Sequence, residues 1–158
     1  MQLNFAATSQ IGSGLAGSGA LVVGVGEGGA MTQSAARADK ASGGALSRAM
    51  GQGRFTGKSG TTLEILAPAG LTWSRVVLAG LGAAADFTAG RVEQLAATVT
   101  GKLLDSGERT ATLQIEPPGG ATAIRGARLA AHLAFGARLA SYRFGSYRRE
   151  SAQAHKPS

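Results

Sequence analysis

The first residues able to do chemistry are Gly24-Val25-Gly26-Glu27-Gly28-Gly29. They match G-x-G-x-x-G at Gly24, Gly26 and Gly29, the turn that lets a backbone approach a dinucleotide pyrophosphate. That chemistry also needs a helix opening at the turn and an acid about 20 residues further on to hold a ribose hydroxyl. Position 44 is Gly44, and Glu27 would bring negative charge toward the phosphates. With 25 glycines in 158 residues, a match of this kind arises readily by chance. Gly57-Lys58-Ser59 has the ending of a phosphate-binding P-loop. The motif needs an earlier glycine where Gln52 stands, and the segment leads into an expected strand, so no helix N-terminus would cradle the phosphates.

Other reaction classes find less support. The nine acids, Glu27, Asp39, Glu64, Asp86, Glu93, Asp105, Glu108, Glu116 and Glu150, are scattered. Neither a two-metal site nor a glycosidase carboxylate pair follows from such spacing. The absence of cysteine excludes a thiol nucleophile, a thiolate zinc site and a disulfide scaffold. Only His132 and His155 are available as imidazoles, and a lone histidine on a helix is most simply a packing or surface residue. No residue is therefore singled out as catalytic or as a metal ligand.

The remaining candidate is electrostatic. The net charge is +7. Residues 1–120 carry nine Lys/Arg against eight Asp/Glu, a net of +1, and residues 121–158 carry seven against one, a net of +6. Arg138, Arg143, Arg148 and Arg149 alternate with Tyr142, Phe144 and Tyr147. Cations and rings interleaved in this way can neutralise and stack on a nucleic acid strand. The plainer account is a helix end with arginine stems over its apolar side, running into a solvated tail.

These residues need a scaffold, and the chain supplies one domain's worth. Ala and Gly together make up 56 residues, so the core must be built from small side chains in close contact. Residues 2–6 alternate polar and apolar as an edge strand, and residues 9–19 form a Gly/Ser loop. Residues 20–25 and 75–81 are continuous apolar runs, as expected of strands buried on both faces. Residues 61–67 and 110–116 read as further strands, the second stopped by Pro117 and Pro118. Helices are expected over 32–50, 86–106 and 122–144. In the second, Val92, Leu95, Ala96, Val99 and Leu103 make one stripe; in the third, Leu129, Leu133, Gly136, Ala140 and Phe144 do. The order β-β-α-β-β-α-β-α predicts an α/β fold, a mixed and mainly parallel sheet covered by helices on both faces. Residues 148–158 have the composition of a linker. No charged n-region followed by an apolar stretch opens the chain, and no apolar run reaches membrane-spanning length. A cytoplasmic protein without a membrane partner is expected.

Five segments, taken in order, resemble the N-terminal domain of the cytosolic leucyl aminopeptidases. They are Ala20-Leu-Val-Val-Gly-Val25, Ala38-Asp-Lys-Ala-Ser-Gly-Gly-Ala-Leu-Ser47, Gly53-Arg-Phe-Thr-Gly-Lys-Ser-Gly-Thr-Thr62, Ser74-Arg-Val-Val-Leu-Ala-Gly-Leu-Gly82 and Gly136-Ala-Arg-Leu-Ala-Ser-Tyr-Arg-Phe-Gly-Ser-Tyr147. Gly145 stands where that family carries Asp. The resemblance implies a macro-domain-like three-layer fold over 1–147, with 148–158 leading toward a C-terminal catalytic domain. It implies a parent enzyme that removes N-terminal residues from peptides with two divalent metals, zinc or manganese, and that assembles as a hexamer. The family's catalytic signature, Asn-Thr-Asp-Ala-Glu-Gly-Arg, does not occur here. This chain would then be a noncatalytic domain with no cofactor of its own. Two other functions remain open. One is a module binding ADP-ribose or a nucleotide at Gly24, Gly26, Gly28 and Gly29. The other is nucleic-acid binding through Arg138, Arg143, Arg148 and Arg149.

Overall fold

A computed structural model describes the backbone of residues 2–5, 19–121, 124 and 126–154, and the side chains of 19–121, 124 and 126–143. Along the chain run β1 (Gln2–Phe5), β2 (Ala20–Gly26), β3 (Ala30–Met31), α1 (Gln33–Ala41), α2 (Ala45–Gln52), β4 (Thr62–Leu66), β5 (Arg75–Gly82), α3 (Ala89–Asp105), β6 (Thr110–Gln114) and α4 (Gly126–Ala154). The strands lie in the order β1-β6-β2-β5-β4, with the short β3 folded back on β2. β1, β6, β2 and β5 pair in parallel, while β4 pairs antiparallel with β5 and β3 antiparallel with β2. The sheet is thus mixed and mainly parallel, as its apolar strands require.

The two central strands split their side chains between two cores, because successive residues of a strand point to opposite faces. Ala20 and Val22 of β2, with Val77, Ala79 and Leu81 of β5, meet α3 and α4. Leu21, Val23 and Val25, with Val76 and Leu78, meet Ala35, Ala38, Leu46 and Trp73 on the other side. Val22 sits in register between Val77 and Leu113. The stripe Val92, Leu95, Ala96, Val99 and Leu103 is buried. Leu129, Leu133 and Ala137 of α4 pack on it, and α3 with α4 forms the most extensive contact between helices.

Several boundaries differ from those the sequence predicts, those of α1, α2 and α3 for local reasons. The helix expected over 32–50 is two helices. Gly44 takes φ 86°, the left-handed conformation that suits glycine, and breaks the first helix as it begins the second. The Asp39 carboxylate then accepts the Ser47 backbone N–H at 2.9 Å, satisfying a donor at the start of α2. α3 starts at Ala89, not Asp86, because the Thr88 hydroxyl accepts the Arg91 N–H and caps the helix. α4 starts at Gly126 and runs on to Ala154, so the stretch read as linker from Arg148 is helical as far as Ala154. Residues 155–158, and 9–18 of the expected loop, lie outside the described residues. No described helix is long and apolar enough to cross a membrane.

Candidate functional site

Ligands of open α/β sheets bind outside the carboxyl ends of the parallel strands. Here that edge joins the ends of β2, β5 and β6 to the start of α1. The candidate glycines Gly24, Gly26, Gly28 and Gly29 all lie there.

The chain covers this edge itself. After β2, residues Glu27–Gly29 form one tight turn and β3 folds back, pairing Ala30 with Gly26 and Met31 with Val25. The segment 56–61 then lies over the ends of β2 and β5. The Gly29 N–H donates to the Thr56 carbonyl at 3.0 Å, Gly82 to Gly57 at 2.9 Å, and Gly80 to Thr61 at 2.8 Å. Gly57, at φ +85°, lies so close to β2 that a β-carbon would collide with the Gly26 carbonyl. A β-carbon at Gly80 would collide with the Lys58 carbonyl, and one at Gly24 would meet the Leu81 side chain. Backbone packed on backbone thus accounts for Gly57 and Gly80, and the Leu81 side chain for Gly24; Lys58 lies in the covering segment that leads to β4.

The start of α1 is capped twice. The Thr32 hydroxyl accepts the Ala35 N–H at 3.4 Å and donates to the Gly24 carbonyl at 2.8 Å. Glu116, just past β6, accepts the Ser34 N–H on Oε1 at 2.6 Å. The Glu116 side chain is buried, and its Oε2 has no hydrogen-bond partner. Burial pushes this carboxyl above its ordinary value, while the Ser34 hydrogen bonds and the Arg37 charge pull it down. A helix N-terminus draws an anion through its free N–H groups and its dipole. In a dinucleotide fold that anion is the pyrophosphate; at α1 it is the Glu116 carboxyl. The helix also begins past β3 and Thr32 instead of at the glycine turn. Gly44, where an acid would hold the ribose, starts α2.

The basic patch lies on α4. Arg138 and Arg143 are exposed, and Tyr142 is 70% exposed. The side chains of Phe144, Tyr147, Arg148 and Arg149 fall outside the described set. A groove between β4 and α3 is lined by Thr62, Glu64, Val99, Lys102 and Leu103. Lys102 Nζ donates to Thr62 Oγ1 across it at 2.6 Å, and Glu64 pairs with Arg75. Among the described residues no three His, Asp or Glu side chains gather where they could hold a metal ion.

The Glu116–Ser34 link, 82 residues apart in sequence, escaped the sequence reading. A signal was present. β6 and the residues after it alternate Ala111, Leu113 and Ile115 on one face with Thr112, Gln114 and Glu116 on the other, and both sets are buried. Polar residues at alternate positions of a strand covered on both sides need partners. His132 is likewise not solitary, since its Nδ1 lies 3.6 Å from Glu93 Oε2 across the α3–α4 contact.

Comparison with known proteins gives a consistent result. Residues 22–151 match the model of the cytosol aminopeptidase family, N-terminal domain. A "Probable cytosol aminopeptidase" of Caulobacter vibrioides is 43% identical over 139 residues, which are 88% of this chain and 27% of that protein. A protein of the same name from Rhodopseudomonas palustris (strain BisA53) is 41% identical over 104 residues, 66% of this chain and 20% of that protein. The chain thus spans about a quarter or less of the length of these relatives. A solved structure of a tomato leucine aminopeptidase mutant superposes with a TM-score of 0.65 at 20% identity, covering 89% of this chain and 28% of that one. At that identity the likeness is one of fold.

Proposed function

Because the chain belongs to the cytosol aminopeptidase family, as its N-terminal domain, we propose that it is the noncatalytic domain of a metal-dependent aminopeptidase. The observation that carries this reading is the family match over 22–151, which takes in most of β2, the strands β3 to β6, the three helices α1 to α3, and most of α4. The whole enzyme removes N-terminal residues from peptides in the cytoplasm, in keeping with the curated relatives' names. It assembles as a hexamer, and two divalent metals, zinc or manganese, would supply Lewis-acid chemistry there. The described residues of this chain do not fit such metals, since no three of their acids and imidazoles gather in one place. On this reading the metal ligands and catalytic groups belong to a C-terminal domain of the whole enzyme. The contribution of this domain is structural: a closed sheet edge, a double-capped α1 and a long final helix that leads toward the catalytic domain.

The test is a peptidase assay. The chain alone, with manganese or zinc added, should not hydrolyse a leucine anilide. Joined to the C-terminal portion of the Caulobacter relative, it should form an active enzyme. Turnover by the isolated chain would overturn the proposal.

A further inference from the structure

The outward face of α4 carries an apolar stripe, and none of the described residues covers it. Phe135, Leu139 and Tyr142 follow one another at i, i+4 and i+7, so they share one side of the helix. They are 58%, 37% and 70% exposed. The core side of the same helix is already occupied, with Leu129, Leu133 and Ala137 buried against the α3 side of the sheet. Three of the four large apolar side chains exposed among the described residues lie on this stripe, and the fourth, Leu66, is on β4. Apolar residues concentrated in one place mark a docking surface, whereas scattered ones are ordinary.

We propose that this stripe is the surface on which the C-terminal catalytic domain docks. The proposal rests on the reading of the chain as one domain of a longer aminopeptidase. Three observations choose this occupant. The match to the N-terminal domain model ends at residue 151, inside α4, so the boundary with whatever follows in the relatives falls on this helix. The matched segment is only 27% and 20% of these relatives' length, and the model it fits is that of an N-terminal domain. A domain tethered to the end of α4 meets its side at high effective concentration. Charge then disfavours a second copy of the chain. Arg138 is three residues from Phe135 and four from Tyr142, and Arg143 is four from Leu139. No acid occurs on α4 among the residues with described side chains, so two such faces would set arginine against arginine. The partner surface should be an apolar hollow rimmed with carboxylates, receiving Phe135 and Tyr142 as anchors.

The chain has no cysteine, so a single introduced thiol reports its own surroundings. Ala131, exposed and one turn before Phe135, is the probe site because Ala131→Cys leaves all three anchors in place. Labelling by a maleimide is read at residue 131 by peptide mass spectrometry. It is read in the isolated chain and in a chimera that joins the chain to the C-terminal portion of the Caulobacter relative. Labelling should be about tenfold slower or more in the chimera, as burial of the site requires. Adding Phe135→Asp should restore the fast rate, with circular dichroism showing the helices retained. Leu66→Cys, on β4, should label equally fast in both proteins. An active chimera that labels at residue 131 as fast as the isolated chain would overturn the docking face and leave the aminopeptidase reading standing. A chimera that is both inactive and unprotected would overturn both. Labelling of the isolated chain that slows with protein concentration would assign the face to a second copy and overturn the proposal.

Discussion

Gly136 of α4 lies so close to Glu93 of α3 that a β-carbon on Gly136 would collide with the Glu93 carbonyl oxygen. The obstacle is backbone inside a helix, which cannot swing aside as a flexible side-chain tip can. The close approach lets the two helices bury Leu129, Leu133 and Val99 in one core, and it sets His132 across from the Glu93 carboxylate. Gly136→Ala should therefore push the helices apart and destabilise the domain by about 1–3 kcal/mol, the usual cost of overpacking. Gly101 provides the contrast. It also sits in a helix, α3, but nothing lies within 4 Å of where its β-carbon would be. There Gly101→Ala should stabilise by about 0.5–1 kcal/mol through helix propensity alone. Urea unfolding of both variants checks this pair of opposite signs, with the slope of the transition unchanged. Equal effects at the two glycines would refute the close-packing account.

The two threonine caps should differ in worth. Thr88 at α3 only accepts an N–H, at 3.4 Å, on an exposed face. Thr32 at α1 accepts an N–H and also donates to the Gly24 carbonyl, and it is buried. Thr88→Ala removes a cap, typically worth about 1 kcal/mol. Thr32→Ala removes a cap and also weakens the pairing of a buried carbonyl, so it should cost about 1–3 kcal/mol. Thermal unfolding of the two variants should rank Thr32→Ala as the more damaging.

Glu116 should make the stability of the domain depend on pH in an unusual direction for a carboxylate. Burial raises its folded-state value above the ordinary 4.5, against the pull of Ser34 and Arg37. A raised value means that the folded protein holds the proton more tightly than the unfolded chain does. The stabilisation is then complete below the unfolded value and is lost as pH rises through the folded one. Glu116→Gln removes this loss while keeping a carbonyl oxygen to accept the Ser34 N–H. Unfolding of wild type and variant from pH 4 to 8 should show the variant gaining relative to wild type as pH rises above 4.5. A difference that is flat with pH would show that the Ser34 bonds and the Arg37 charge cancel desolvation, and one that runs the other way that they outweigh it.

Much of this fold is legible in the sequence because its central strands speak plainly. Runs such as Ala20 to Val25 and Arg75 to Leu81 can be buried only between two layers, and the α3 stripe fits only one face of a helix. The break at Gly44 is harder to read. It depends on Asp39 reaching forward to Ser47, and Ala and Ser on both sides permit either one helix or two. The candidate site is less legible still. Its glycine pattern reports a need for close approach without saying what approaches. At Gly26 and Gly29 the approaching group is the segment 56–61 of the same chain, and at α1 the anion is a carboxylate contributed 82 residues away. Neither partner can be found from local spacing, because both contacts exist only once the sheet has formed.

That self-closure leads to an expectation for nucleotides. A diphosphate seated against Gly24–Gly29 would have to displace the Thr56 carbonyl from the Gly29 N–H and face the Glu116 carboxyl at the start of α1. At neutral pH an ionised Glu116 would repel it, and a protonated one would still fill the space and hold the Ser34 N–H. Titrating the chain with ADP-ribose in a calorimeter should give no heat beyond dilution at pH 7.5. Glu116→Ala vacates the N–H and the space together. Weak binding that appears in this variant alone would show that the carboxyl is what keeps the phosphate out. Saturable binding to the unaltered chain would show that the segment 56–61 opens, and it would return the glycine turn to consideration as a ligand site.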